Sequence, residues 1–109
     1  MRGSADGQPP VIFASARIVT TANAMESATR HGVKVTALLA RHFAGDWGAV
    51  STHEAAQNDT VLAIHLAGNG GGTLLGDYPL DDDPQGEHLW VVTHLEDKGV
   101  TTVLRPDEY

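Results

Sequence analysis

Residues 41–48 read Arg-His-Phe-Ala-Gly-Asp-Trp-Gly, and three of them carry groups suited to acid–base chemistry. His42 has the side chain whose ordinary titration lies nearest neutral pH, Asp46 is a carboxylate able to orient it, and Arg41 is a cation able to hold an anion. On an unbroken helix the i, i+4 spacing would bring His42 and Asp46 together. Gly45 lies between them and breaks that geometry. The competing reading is a helix end. Arg41 and His42 would then face the negative pole of the helix, Gly45 would take the left-handed turn, and Trp47 would fold back onto the core. The second reading is the stronger one. Arg41, His42 and Asp46 stay as the candidate catalytic set, and Asn58 is a polar residue able to face the same corner.

Other motifs are weaker. His-Glu-Ala-Ala-Gln at 53–57 approaches the zinc-protease helix pattern, but Gln57 stands where the second histidine is needed. Gly-Asn-Gly-Gly-Gly at 68–72 fits neither nucleotide-binding glycine spacing, and a strand rather than a helix is expected after it. Asp81, Asp82 and Asp83 lack the distal glutamate of a calcium loop. His88 and His94 share a face of one strand and make a metal site conceivable, but six scattered histidines read better as surface residues. No serine sits on a nucleophile elbow. No motif calls for a cofactor, and no metal ligand set is assigned.

The elements that must position these residues follow from pattern. Residues 1–10 read as a flexible tail and 11–109 as a single domain. Residues 11–21 are rich in β-branched side chains and read as extended. Asn23 and Glu26 resemble a capping box for a helix over about 23–31, stopped by Gly32. Thr36 is placed to cap a second helix that ends at Gly45. Ser51 and Glu54 form a cleaner capping box for a third, over about 52–67, with Ala55, Ala56, Leu62, Ala63 and Leu66 on one apolar face. Strands follow at 73–80, 88–96 and 100–105, joined by the loop 81–87 and the turn 97–99. The expected fold is α+β: two or three short helices, then an antiparallel meander of three strands, with residues 11–21 available as an extra strand.

Composition narrows the function. The 109 residues carry 14 acids and 7 bases, a formal charge of −7. A nonspecific nucleic-acid binder has the opposite balance, so nucleic acid is an unexpected partner. There is no cysteine, which removes disulfide and thiolate chemistry and fits the cytoplasm. No apolar run of membrane-spanning length occurs, and the first ten residues lack the apolar stretch of a signal peptide.

The run Leu-Leu-Ala-Arg-His-Phe-Ala-Gly-Asp-Trp-Gly, a later asparagine, a strand ending Leu-x-x-Tyr, and the closing Leu-Trp-Val-Val-Thr-His-Leu-Glu-Asp-Lys-Gly-Val-Thr-Thr-Val-Leu-Arg-Pro-Asp-Glu-Tyr together resemble a group of small proteins from plasmids and other mobile genetic elements, integron gene cassettes among them. The resemblance runs from about Arg17 to Tyr109. It rests on Gly45–Gly48, Asn58, Tyr78, Trp90, Thr93, Thr101, Thr102, Pro106 and Tyr109. His94 stands where that group usually has glutamate. The glycine-rich link and the Asp-Asp-Asp-Pro-Gln-Gly loop are longer than usual. The resemblance implies no activity. It points to Trp47, Asn58, Tyr78, Trp90 and Thr102 as binding residues.

Three functions are therefore in play. The first is a non-enzymatic protein-binding or regulatory module that recognises itself or a host or mobile-element partner, with homo-oligomers expected because a meander leaves strand edges and one sheet face free. The second is a small ribonuclease-like or hydrolase toxin using His42 and Asp46. The third is a small-ligand or metal-binding protein using the histidines.

Overall fold

The computed structural model describes residues 10–83 and 85–109. Most of the expected tail, and Pro84 of the acidic loop, lie outside the described residues. The chain runs through strand β1 (Arg17–Thr20), helices α1 (Ala22–Arg30), α2 (Val35–Phe43) and α3 (Thr52–Leu66), then strands β2 (Thr73–Pro79), β3 (His88–His94) and β4 (Val100–Leu104). Short 3-10 turns occupy Glu96–Lys98 and Pro106–Glu108. The sheet order is β1-β4-β3-β2. β2, β3 and β4 form the expected antiparallel meander, and β1 adds a fourth strand parallel to β4.

Strand alternation divides the sheet into two faces. Leu74, Gly76 and Tyr78 of β2, Leu89, Val91 and Thr93 of β3, and Thr101 and Val103 of β4 are all buried on one face. Ala24 and Ala28 of α1 and Val35 and Leu38 of α2 pack there against Tyr78, Leu89, Val91 and Val103. Leu62 of α3 joins Phe13, Trp47, Leu74 and Leu95 in a second cluster on the same side. All three helices thus serve one face. The other face carries Thr73, Leu75, Asp77, His88, Trp90, Val92, His94, Val100, Thr102 and Leu104, of which Val92 and Leu104 are buried.

Several local expectations are corrected. The extended segment 11–21 pairs as a strand only over Arg17–Thr20; before it, Ile12 and Phe13 hydrogen-bond to the carbonyl of Phe43 and dock at the end of α2. α1 is capped by Thr21, which accepts from the Ala24 amide at 3.0 Å, and not by an Asn23–Glu26 box. The helix starts directly at the strand's end, so Thr21 reaches the free amides first. Glu26 turns instead to Arg30 one turn on. α2 begins at Val35 behind Lys34, with no side-chain cap from Thr36, because Val35 is buried and draws the first turn into the core. The Ser51–Glu54 capping box is present as read. The broad apolar face expected of α3 is not: Asn58 and Leu62 are its buried residues, while Ala56, Ala63 and Leu66 are exposed. α3 lies beside the outer edge of β2 and presents a narrow stripe to it. The third strand stops at His94, and the turn after it takes three left-handed residues, Asp97, Lys98 and Gly99.

The edge of β2 is closed without a further strand. Asn58 acts as a peptide unit: its Nδ2 donates to the Leu75 carbonyl at 2.8 Å and its Oδ1 accepts from the Leu75 amide at 3.3 Å. Two residues along, the Asp77 amide donates to the Trp47 carbonyl at 3.0 Å and the Asp77 carbonyl accepts from Ala49 at 2.7 Å. Gly48 sits between those contacts at φ +73°, and a Cβ there would lie 2.1 Å from the Asp77 oxygen. Only glycine admits both the left-handed turn and that approach.

Replacing Asn58 by leucine should leave the Leu75 amide and carbonyl without partners beneath a side chain of similar size. The expected cost is about 1–3 kcal/mol, which lowers Tm by several degrees in a domain of this size. Thermal unfolding beside the wild type checks it; an unchanged Tm would mean that water satisfies that edge equally well.

Candidate functional site

The corner Arg41–Gly48 is built where α2 ends. α2 stops at Phe43, and Gly45 takes φ +80°. The chain then turns back along β2. Two side chains of this corner point in opposite directions, and that separation decides its chemistry.

His42 points inward. It lies seven residues after Val35 and four after Leu38, on the buried stripe of α2, and is 0 % exposed. Phe13, Phe43 and Trp47 surround its ring with edge-on contacts at 5.5, 5.9 and 5.3 Å between centroids. Both ring nitrogens are engaged: Nδ1 lies 3.2 Å from the Tyr78 hydroxyl and Nε2 lies 2.8 Å from Thr93 Oγ1. Thr93 Oγ1 is 2.7 Å from Thr101 Oγ1, which is 2.7 Å from Ser15 Oγ.

Counting protons fixes the direction of this line. Tyr78 has one hydroxyl proton and donates it to the Asp46 carbonyl at 2.8 Å. Toward His42 it can therefore only accept, so Nδ1 carries the imidazole proton. In the neutral ring Nε2 is then bare and accepts from Thr93. Thr93 has spent its proton and accepts from Thr101, and Thr101 accepts from Ser15. Every member donates once, with the Ser15 proton going to Thr101 at 2.7 Å in preference to the Arg17 carbonyl at 3.3 Å. Burial holds the His42 imidazole down to about 4, well below its ordinary 6.5, because a charged ring would lose its hydration without gaining an anion.

Asp46 and Arg41 face outward. Arg41 Nε donates to Asp46 Oδ2 at 2.7 Å and Nη2 to Oδ1 at 3.3 Å. Asp46 Oδ1 also accepts from the Gly48 amide at 3.0 Å. The guanidinium beside it holds the Asp46 carboxyl below the usual carboxylate range, and the carboxylate raises Arg41 in return. The guanidinium carbon lies 4.9 Å from the centroid of the Tyr78 ring and covers it. No hydrogen bond joins the Asp46 carboxylate to His42 among the described residues. The three candidates thus form two units: an exposed ion pair, and an interior imidazole with no surface to offer a substrate.

The implied binding residues also divide. Trp47 is buried and its indole N–H donates to Asp59 Oδ1 at 2.9 Å. Asn58 and Tyr78 are buried in the edge closure and the His42 line. Trp90 and Thr102 stand half-buried on the helix-free face, with Tyr109 edge-on to Trp90 at 5.7 Å. The histidines of β3 are held separately, His88 by Asp77 at 2.7 Å and His94 by Thr73 at 3.1 Å. Among the described residues no three His, Asp or Glu side chains are grouped as metal ligands. A shallow groove of about 610 Å³ between α3 and β2 is lined by His53, Gln57, Val61, Thr73 and Leu75.

Sequence reading missed Ser15, Thr93 and Thr101 as partners of His42, and Asp59 as the partner of Trp47. A signal existed for two of them. Thr93 and Thr101 occupy the positions where alternation from Leu89 and Val91, and from Val103, demands core residues. A hydroxyl at such a place needs a buried polar neighbour. Compared with protein-family models, with curated proteins and with solved structures, the chain matches none.

The depressed His42 gives a signed pH dependence. Between about pH 6.5 and 4 the unfolded chain binds a proton at this residue that the folded chain refuses, so stability falls as pH falls through that window. The full loss is of the order of 3 kcal/mol, complete near pH 4. Urea unfolding at a series of pH values should show the stability gap between wild type and His42→Gln shrinking by that order on acidification. A gap independent of pH would mean that His42 titrates normally.

Proposed function

We propose that this chain is a non-enzymatic protein-binding module of mobile DNA, working in the cytoplasm through the helix-free face of its sheet. The observation that carries the reading is that face. Trp90, Thr102, Val100 and Leu75 stand half-buried there around a buried Val92, with a largely exposed Tyr109 at the rim. An apolar centre around Trp90, with Tyr109 edge-on to it and Asp77, His88 and His94 at the margin, has the make-up of a protein-binding surface with an apolar core and a polar rim. The catalytic alternative loses its base, because His42 has no exposed atom and both of its nitrogens are bonded inside the core.

The residues behind the mobile-element resemblance support the same reading. Gly48 and Asn58 close an edge, Tyr78, Thr93 and Thr101 satisfy His42, and Trp47 fills the core. That motif specifies a scaffold. Trp90, Thr102 and Tyr109 are its members on the working face, and a partner that buries them would be recognised by shape and apolar contact.

The test compares two variants of the full chain. Trp90→Ser removes the central aromatic of the face, while the pair Arg41→Ala and Asp46→Ala dismantles the exposed half of the corner. A partner recovered from host extract, identified and purified, should rebind wild type and the corner variant alike and bind Trp90→Ser at least about tenfold more weakly. Binding unaffected by Trp90→Ser, or a hydrolytic activity abolished in the corner variant, would overturn the reading.

A further inference from the structure

The two edges of the sheet are unequal. The β2 edge is closed by Asn58 and by residues 47–49. The β1 edge is covered by nothing among the described residues. The Arg17 amide donates to the Gly99 carbonyl and the Thr21 amide to the Val103 carbonyl, so the odd-numbered amides of this strand turn toward β4. Alternation then turns the amides and carbonyls of Ile18 and Thr20 outward. Ile18 and Val19 are 49 % and 37 % exposed.

We propose that a second copy of this chain occupies the β1 edge, pairing β1 with β1 antiparallel about a two-fold axis at Val19. Only even-numbered residues offer outward groups, so an antiparallel register must set even against even. Ile18 against the partner's Thr20 satisfies this and forms four backbone hydrogen bonds across the axis. Val19 then meets the partner's Val19 as a non-hydrogen-bonded pair, where side chains come closest. The result is a continuous eight-stranded sheet.

Charge fits this register and its occupant. Arg17 falls opposite the partner's Thr21. Thr21 Oγ1 donates to Glu108 Oε1 at 2.8 Å, so each Arg17 meets the carboxylate of Glu108 in the other copy. Neither Arg17 nor Glu108 forms an ion pair among the described residues of its own chain. Two chains of charge −7 repel each other, yet residues 7–25 contain no acid, and Arg17 is the one base there. The one carboxylate held at this edge, Glu108, would thus meet the partner's Arg17 and not another acid. Closure of the β2 edge makes the assembly finite: β1 can find another β1 but no free β2, so a dimer forms and not a fibre.

The inference goes beyond the binding reading and fails separately from it. A monomer would leave the Trp90 face available, and a dimer that binds no partner would leave the edge pairing intact.

The test uses the absence of native cysteine. Val19→Cys should form an intermolecular disulfide on mild oxidation, because a non-hydrogen-bonded pair sets its Cα atoms about 4.5 Å apart. Ile18→Cys and Thr20→Cys should not, since each lies diagonally from its own copy and beyond disulfide reach. Wild type should sediment at twice 11.5 kDa at micromolar concentration. Val19→Lys, and Thr20→Pro, which removes an outward amide, should each weaken the dimer about tenfold or more with the far-ultraviolet spectrum unchanged. A monomeric wild type, equal cross-linking of the three cysteine variants, or a dimer indifferent to both substitutions would overturn the proposal. So would a chain lacking residues 2–9 that dimerises where wild type does not, since the edge would then belong to the chain's own N-terminal segment.

Discussion

A neutral imidazole with no access to water is the constraint around which the rest of this structure is arranged. Such a ring has one donor and one acceptor, and leaving either unpaired in the core costs about 1–3 kcal/mol. His42 finds its acceptor on β2, in Tyr78, and its donor on β3, in Thr93. One helix is thereby tied to two strands by directional bonds. The demand propagates outward. Tyr78 needs the Asp46 carbonyl, which brings the chain after α2 back over β2, and Thr93 needs Thr101, which extends the line to β4 and on to Ser15 before β1. Apolar packing alone would hold α2 against the sheet with freedom to slide. The hydrogen-bonded line fixes its register.

The same return of the chain produces the asymmetry of the sheet. Once residues 46–48 lie over Tyr78, their backbone is set beside Asp77, and α3 starts where Asn58 can reach Leu75. Closing an edge with a loop and one amide side chain leaves no repeating template for a foreign strand. Glu87 does comparable work at the other end of the helical layer. It accepts from Ser27, Arg30 and His31, which hold its carboxyl down to about 2 and pin the strand β3 entry to α1. Polar side chains hold elements to one another on both sides of the sheet, and on the helix-free face Asp77 with His88 and Thr73 with His94 join β2 to β3.

Where sequence signals were local, they were legible. The Ser51–Glu54 box, the glycine stop at Gly45 and the alternation in β2, β3 and β4 each act within a few residues, and each produces the element expected of it. The failures share a different cause. Asn23 and Glu26 have the spacing of a cap, but the strand ending at Thr20 places Thr21 at the helix start first. The alanines of α3 suggest a broad buried face, but the sheet ends beneath that helix, so Ala55 packs on the core while Ala56 and Ala63 stay in solvent. His42 was the hardest to read. Its spacing from Asp46 suggests a catalytic pair, while its spacing from Val35 and Leu38 places it in the core. Both patterns are real on a helix, and only the strands bearing Thr93 and Tyr78, some fifty and thirty-six residues away, decide between them.

Acidity reads differently once the fold is known. Of the 14 acids only Asp6 precedes Glu26. The remainder follow the chain through the helices, the β2–β3 loop and the C-terminal turn, and from that turn Glu108 returns to the β1 edge, where Thr21 Oγ1 donates to its carboxylate. A protein of uniform net charge keeps copies of itself apart at every surface. One whose exposed edge strand carries Arg17 at one end and holds Glu108 beside Thr21 at the other offers a second copy two complementary charges there. In the proposed dimer those paired charges favour edge-to-edge approach at β1, and backbone hydrogen bonding at Ile18 and Thr20 completes the pairing.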